Sequence, residues 1–162
     1  MTEFFVIGTP APGGSKKAFV NPKTQRVVVI DDCSRNKDWR SAVSGAAYEN
    51  VPEKFDGPLA VEFVFQVVRP RGHYGSGRNS NVLKPSAPVY PTVRPDVLKL
   101  SRSTEDSLSG IAFHDDSQIV DEHICKVYAD TPGAWIRIRP MAEVDRSVDI
   151  RTQQQTLFER AS

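Results

Sequence analysis

The segment of residues 69–95 limits the possible folds of this chain more than any other feature of its sequence. It contains no Asp or Glu, three glycines, and the five prolines Pro70, Pro85, Pro88, Pro91 and Pro95. Proline fixes φ and removes a backbone donor, so neither a regular helix nor a central strand can run through this segment. Connections of this length inside a compact domain are usually functional or disordered. We therefore expect a long surface loop between two structured parts of the chain.

The same segment is basic. Its cationic side chains are Arg69, Arg71, Arg78, Lys84 and Arg94, and it also contains His73. Cations that neutralise phosphates release counterions, which adds affinity for nucleic acid of any sequence. A basic loop without acids is therefore typical of a surface that contacts a polyanion. A solvated surface loop is the plainer interpretation of such a segment when it is taken alone.

The composition of the whole chain indicates a compact protein of one domain. The chain has 162 residues and a formal net charge of +1 at pH 7, so the molecule as a whole has no strong attraction to nucleic acid. No apolar run has the length of a membrane span, and the first residues lack the pattern of a signal peptide. Cys33 and Cys125 lack the spacing of a metal or redox motif, which predicts free thiols in a cytoplasmic protein.

Periodicity predicts a scaffold of strands and helices around the loop. Segments rich in β-branched and aromatic residues, typical of strands, are residues 3–7, 59–68, 118–128 and 134–138. Residues 17–30 predict a hairpin with its turn at residues 21–24. Apolar residues at helical spacing predict helices over residues 34–50 and 97–111. Beyond Pro140 the chain is polar, and a C-terminal tail is expected there.

Three aspartates follow the basic loop. Asp96 opens the second predicted helix, and Asp115 and Asp116 stand side by side just before a predicted strand. Mg²⁺ prefers oxygen ligands and is usually held by one or two carboxylates together with phosphate. Adjacent aspartates also occur at ordinary turns, where their side chains bond to the local backbone. The pair alone favours a turn, and the rest of the segment from residue 94 to 126 strengthens the case for a metal site.

The order of residues from 94 to 126 resembles the RusA family of Holliday-junction resolvases, which occurs in bacteria and is often carried by phages and prophages. The matching residues are Asp96, Lys99, Leu100, Arg102, Asp106, Leu108, Asp115, Asp116, Ser117, Gln118 and Lys126. Weaker similarity extends from about Phe4 to about Arg139. The resemblance implies an α/β (α+β) domain over residues 1–140, with a mixed, largely antiparallel sheet and two main helices packed on it. Residues 141–162 would then be an appended tail.

The resemblance also implies an activity. It predicts a structure-specific endodeoxyribonuclease that resolves four-way DNA junctions in recombination and repair by metal-dependent phosphodiester hydrolysis. Mg²⁺ or Mn²⁺ would be bound by Asp96, Asp115 and Asp116, and Arg102 and Lys126 would stabilise charge developing on the phosphate. The residues expected to contact DNA are Arg69, Arg71, Arg78, Lys84, Arg94, Lys99 and Gln118. A homodimer would match the approximate two-fold symmetry of a junction, and it would act in the cytoplasm, or in the host cytoplasm if phage-encoded.

One position departs from the family pattern and leaves alternatives open. The family's second aspartate is Leu98 here, which cannot bind metal and shares a helix face with Arg102. Glu105 lies roughly 10 Å further along the helix axis and is not expected to replace the missing acid. Leu98 either leaves a ligand position vacant or packs into the core.

Two other functions stay open on these grounds. One is a junction-binding protein with impaired cleavage. The other is a single-strand or RNA-binding module whose acidic cluster is only turn chemistry. Such modules usually stack bases on exposed aromatic side chains, and the presence of only Tyr74 and Tyr90 in the basic loop argues against this alternative. The plainer interpretations of the two proposed catalytic cations are an ion pair of Arg102 with Asp106 and solvation of Lys126 at a strand end.

Overall fold

The computed structural model describes residues 1–14, 16–31 and 33–144. The strands in this part of the chain are β1 (Thr2–Ile7), β2 (Lys16–Val20), β3 (Val27–Asp31), β4 (Leu59–Val68), β5 (Ile119–Ala129) and β6 (Gly133–Pro140). The helices are α1 (Asn36–Asn50) and α2 (Val97–Leu108), and neither of them is long and apolar enough to cross a membrane. The tail predicted for residues 141–162 lies almost entirely outside the described residues, so the division of the chain at residue 140 stays a prediction.

Four strands form one sheet in the order β1-β6-β4-β5. β6 pairs antiparallel with β1 and with β4, whereas β4 and β5 run parallel. β2 and β3 form a separate antiparallel hairpin. The predicted α+β fold, with a mixed, largely antiparallel sheet and two packed helices, is confirmed.

The core lies between the helices and one face of the sheet. Alternate residues of β4, including Phe63 and Phe65, are buried there beside Ile136 of β6. The helices meet through Trp39 of α1, whose Nε1 donates a hydrogen bond of 3.2 Å to Oγ1 of Thr104 on α2. Burial of each large apolar side chain contributes about 1.5–3 kcal/mol, so this layer holds both helices against the sheet.

The parallel pairing of β4 and β5 fixes where the rest of the molecule must lie. Parallel neighbours need a long crossover connection, and here the basic loop and α2 together provide it. The chain therefore leaves the end of β4, passes through the loop, and returns along α2 to the start of β5. As a result, the first residue of α2 lies at the edge of the sheet where β4 and β5 end, and the residues before β5 lie at the opposite edge.

Candidate functional site

A cleft of about 610 Å³ lies at the edge of the sheet where β4 and β5 end. Its walls come from the segment before β2, the start of α1, the end of β4, the start of α2 and the end of β5. Helix N-termini attract anions through unpaired backbone N–H groups, and the N-terminus of α2 lies at this cleft. The fold therefore provides a feature here that favours an anionic ligand.

The charged side chains around the cleft are mostly cationic. Among the residues that the structure describes, Arg35, Arg94, Lys99 and Lys126 line it together with a single acid, Asp96. The concentration is notable because the whole chain carries a net charge of only +1. Asp96 occupies the N-cap position of α2, but its carboxylate accepts no capping hydrogen bond and lies 3.8 Å from Nζ of Lys99. The sequence prediction that Asp96 begins the helix and still presents its carboxylate agrees with this geometry.

Lys126 has a specific structural contact. Its Nζ donates hydrogen bonds of 2.6 Å to the carbonyl of Val93 and 2.8 Å to the carbonyl of Pro95. The ammonium group therefore attaches the end of the basic loop to β5 and fixes the approach to Asp96. The side chain is half-buried, so the interpretation of Lys126 as a solvated strand-end residue is wrong.

The basic loop has a defined structure maintained by two of its own cations. Nη1 of Arg69 donates a 2.7 Å hydrogen bond to the carbonyl of Pro88, and its guanidinium lies 4.0 Å from the ring centroid of Tyr128 on β5. Nζ of Lys84 donates a 2.8 Å bond to the carbonyl of Gly72. Two of the cations predicted to contact DNA therefore hold the loop in shape.

Three other cations of the loop are available to a ligand. The side chains of Arg71, Arg78 and Arg94 are exposed and have no hydrogen-bond or ion-pair partner within the described part of the chain. A charged side chain without an internal partner is free to approach a phosphate. Of the four loop arginines predicted to contact DNA, Arg69 therefore shapes the loop. The other three are exposed to solvent.

Two glycines allow the segment before β2 to lie directly on α2. The N–H of Gly13 donates a 2.8 Å bond to the carbonyl of Lys99, and a Cβ at Gly13 would lie 3.0 Å from Cβ of Ser103. Gly14 has a φ of +78°, and a Cβ there would lie 3.3 Å from Cδ of Arg102. Arg102 is therefore positioned by its stem against Gly14, and no ion pair with Asp106 occurs among the described residues.

At the opposite edge of the sheet, Asp115 is engaged in a turn. Its Oδ1 accepts a 3.0 Å bond from the N–H of Ser117, and hydrogen bonds from the side chain and then the backbone of Ser117 lower the pKa of Asp115. Gln118 completes the turn. Its Oε1 accepts from the N–H groups of His114 and Asp115 at 2.7 and 3.1 Å.

The amide nitrogen of Gln118 is occupied as well. Nε2 donates to the carbonyls of Phe55 and Gly57 at 3.1 and 3.0 Å. All of these partners are main-chain groups, so the side chain of Gln118 fixes the turn to the segment before β4. Its contacts give it a structural function, and its predicted contact with DNA stays a prediction.

The three predicted metal ligands do not converge in the single chain. Asp96 lines the cleft beside Lys126, whereas Asp115 and Asp116 precede β5. The strand from Ile119 to Lys126 separates the two positions by on the order of 20 Å at ~3.3 Å per residue. Among residues 1–14, 16–31 and 33–144, no group of three or more His, Cys, Asp or Glu side chains is arranged to hold a metal ion.

A family model described as "Endodeoxyribonuclease RusA" matches residues 10–139. The chain belongs to the RusA endodeoxyribonuclease family. The matched region contains the glycine pair, the basic loop, the three aspartates and every residue lining the cleft except Thr9. A protein of Bacillus subtilis (strain 168), YqaN, described as uncharacterized, is 29% identical over 145 residues, which are 86% of this chain and 96% of that protein.

Leu98, where the RusA family has its second aspartate, lies on the surface. Its side chain is 70% exposed, although its neighbour Leu100 is fully buried. The interpretation of Leu98 as a core residue is therefore wrong. An acid at this position would face solvent on the same side of α2 as Arg102.

A second acidic feature of this RusA-family chain was missed by sequence reasoning. Oγ of Ser101 on α2 contacts the carboxyl groups of both Glu105 and Glu122, the latter on β5. Burial, and then the hydrogen bond to Glu122, raise the pKa of Glu105 from its ordinary 4.5 to about 7, and the charge of Asp116 adds to the shift. Asp116 is therefore close enough to Glu105 for its charge to act on that carboxyl group. The available signal was the pairing of Ser101 and Glu105 one turn apart, on the side of α2 next to its buried residues.

Proposed function

We propose that this chain is a structure-specific endodeoxyribonuclease that binds four-way DNA junctions and hydrolyses phosphodiester bonds in them during recombination and repair. The observation that carries the proposal is the cationic cleft at the ends of β4 and β5, found in a chain of an endodeoxyribonuclease family. The family supplies the class of reaction. The cleft supplies a place where a DNA phosphate would approach Asp96 among cations.

The outward-facing arginines of the loop are the proposed phosphate contacts. Arg71, Arg78 and Arg94 are exposed and lie in one segment that leads into the cleft. Lys99 and Arg102 on the first turns of α2 extend this surface, and they would place charge near the scissile phosphate. Arg69, Lys84 and Lys126 contribute through the shape of the loop, because their side chains bond to its carbonyl groups.

Dependence on Mg²⁺ or Mn²⁺ is part of the proposal, but the residues present do not assemble the three-aspartate centre within one chain. Mg²⁺ usually takes one or two carboxylates together with phosphate oxygens. Asp96 presents one carboxylate in the cleft, and Asp116 presents another at the opposite edge. No catalytic step is therefore assigned to Asp96, Asp115 and Asp116 acting on one ion.

A homodimer is proposed because a four-way junction has approximate two-fold symmetry. An isologous pair of chains would present two equivalent clefts to two equivalent strands. The proposed location is the cytoplasm, or the host cytoplasm if the protein is phage-encoded. Light scattering with and without a junction would measure the number of chains, and a monomer on the junction would contradict the paired-site arrangement.

A second candidate function is junction binding with weak cleavage. The observation in its favour is the exposed Leu98, at the position where the family carries an acid. A leucine there leaves the DNA-facing cations intact and removes a carboxylate from the same surface. This candidate shares the DNA partner of the first and differs from it in the chemistry.

One experiment separates the two candidates. The purified chain is incubated with a labelled four-way junction, with a matched linear duplex and with a single strand, in Mg²⁺, Mn²⁺ or EDTA. Symmetric nicking of the junction in Mg²⁺ or Mn²⁺ supports the endonuclease, whereas a shifted but uncut junction under all conditions supports the binding protein. Equal affinity for all three DNAs would contradict both.

A further inference from the structure

We infer that the cleft at the ends of β4 and β5 receives a single unpaired nucleotide of the bound DNA, with its phosphate on the cationic rim and its base against the apolar wall. The inference rests on the proposed function, because it names the part of the DNA that would enter the site. It goes further by assigning the cleft a ligand of defined size and chemistry.

The size of the cleft selects one nucleotide over a duplex. Its volume of about 610 Å³ falls within the ~300–1,000 Å³ that is typical of sites for single small molecules. Five separate segments of the chain form its walls. A duplex would contact only the rim, whereas a nucleotide taken out of the stack would fit inside.

The cationic rim matches the phosphate of that nucleotide. Arg35 at the start of α1 and Arg94 before α2 both line the cleft and are exposed. Neither side chain has a hydrogen-bond or ion-pair partner in the described ranges. They approach from two different elements, so a phosphate between them could be contacted from both sides with charge-assisted hydrogen bonds.

The uncharged part of the lining matches the base. Val67, Pro70, Pro91 and Tyr128 line the cleft together with the cations. The ring of Tyr128 is held in place by the guanidinium of Arg69, 4.0 Å from its centroid, and by a T-shaped contact with His73, with ring centroids 5.6 Å apart. Proteins that take a base out of the stack hold it against aromatic and apolar side chains. A fixed tyrosine within a cationic rim provides that combination here.

Photo-crosslinking tests the inference directly. 5-Iodouracil is placed at each nucleotide flanking the exchange point of a four-way junction and, as a control, in the middle of an arm. The wild-type complex is irradiated, and the crosslinked peptide is identified by mass spectrometry. We expect one central position to crosslink to Tyr128, and no crosslink to Tyr128 from the arm. The Tyr128→Leu variant, with its melting temperature checked, should lose that crosslink.

A matched pair of variants tests the phosphate contact. Arg35→Gln should reduce the crosslink yield severalfold and lower the log–log salt slope of junction binding by about 0.9. Arg40→Gln removes one cation from the same helix outside the cleft, and it should leave both quantities unchanged. Equal effects of the two substitutions would overturn the assignment of the rim.

The outcomes distinguish this inference from the proposed function. If the junction is bound but no central position crosslinks to the cleft, the nucleotide site is overturned and the proposed function stands. If no junction is bound, both fail together. A free nucleoside monophosphate has the same chemistry, so 5-iodo-2′-deoxyuridine monophosphate forms a second arm. Crosslinking of Tyr128 by the free nucleotide, and by no position of the junction, would also overturn the inference.

Discussion

The two ends of α2 have opposite electrostatic character. At its first turn, Asp96 is the one acid among the described residues of a cleft that four cations also line. Two to three turns later, Oγ of Ser101 contacts the carboxyl groups of both Glu105 and Glu122. The negative charge of Asp116 also acts on Glu105. A polyanion is attracted to the first region and repelled by the second whenever its carboxyl groups are ionised. One helix therefore separates a surface suited to DNA from an acidic surface that is not.

The largest expected effect concerns the cations at the DNA-facing end. Replacing Arg71, Arg78 and Arg94 together by Ala should strongly weaken junction binding and lower the log–log salt slope by about 0.9 for each lost phosphate contact. The melting temperature should change little, because these side chains have no internal partners in the described residues. Titrations at several salt concentrations measure the slope.

The matched variant replaces Arg69 and Lys84, which bond to carbonyls of the loop. It should lower the stability of the loop as well as the affinity for DNA. An unchanged salt slope in the variant that lacks Arg71, Arg78 and Arg94 would mean that the loop does not contact DNA.

A second prediction concerns the attachment of the loop to β5. Lys126→Ala removes two charge-assisted hydrogen bonds to main-chain carbonyls, and it should destabilise the fold by about 2 kcal/mol. Chemical denaturation measures this change in the free energy of unfolding. Lys54→Ala, at an exposed position before β4, should change it by less than about 0.5 kcal/mol. Equal stabilities of the two variants would mean that the Lys126 contacts do not hold the loop.

The acidic end predicts a pH dependence of stability. The folded pKa of Glu105 is raised from 4.5 to about 7, so the folded chain holds a proton that the unfolded chain releases. Its contribution to stability is fully present below about pH 4.5 and is lost as the pH rises through about 7. Because the side chain is half-exposed, the loss should be about 1–2 kcal/mol after screening.

Glu105→Gln tests that pH dependence. The variant should be less sensitive than the wild type to a change from pH 5 to pH 8, and more stable than the wild type at pH 8. Glu53→Gln, at an exposed position before β4, is the control and should keep the wild-type profile. Parallel profiles for the wild type and Glu105→Gln would show that the glutamate pair does not share a proton.

The smallest effect is expected at Leu98. This side chain is 70% exposed, so Leu98→Asp should change the free energy of unfolding by less than about 0.5 kcal/mol. Leu100→Asp is the contrasting variant, because Leu100 is fully buried and an unpaired carboxylate there should cost several kcal/mol. A large loss of stability in Leu98→Asp would contradict the surface position and would mean that Leu98 packs into the core.

Periodicity in the sequence was sufficient to predict most of the fold. Alternation in residues 59–68 predicted β4 with its observed bounds, and the apolar spacing from Trp39 predicted α1. Both signals are local, because they depend on which face of one element is buried. The ordered structure of the basic loop was not predictable in the same way. It depends on contacts such as that between Arg69 and Tyr128, which come together only after β4 and β5 have paired.

The arrangement of the candidate site could not be predicted from local sequence patterns. Asp96 and Asp116 are close in sequence and were expected to share a metal ion. The parallel pairing of β4 and β5 makes α2 run back along them, so the residue before α2 and the residues before β5 lie at opposite edges of the sheet. Strand direction is a property of the whole fold, and no local pattern contained it. The same geometry brings Glu105 to Glu122 across α2 and β5.

Hydrogen–deuterium exchange of the chain with and without a four-way junction tests the contrast between the two ends of α2 most directly. Backbone amides covered by DNA exchange more slowly, and the method reports each segment separately. We predict protection of residues 69–79, 91–99 and 126–130, and no protection around Glu105 and Glu122. Protection centred on Glu105 and Glu122, with none around Arg94 and Lys126, would contradict the placement of DNA at the cationic cleft.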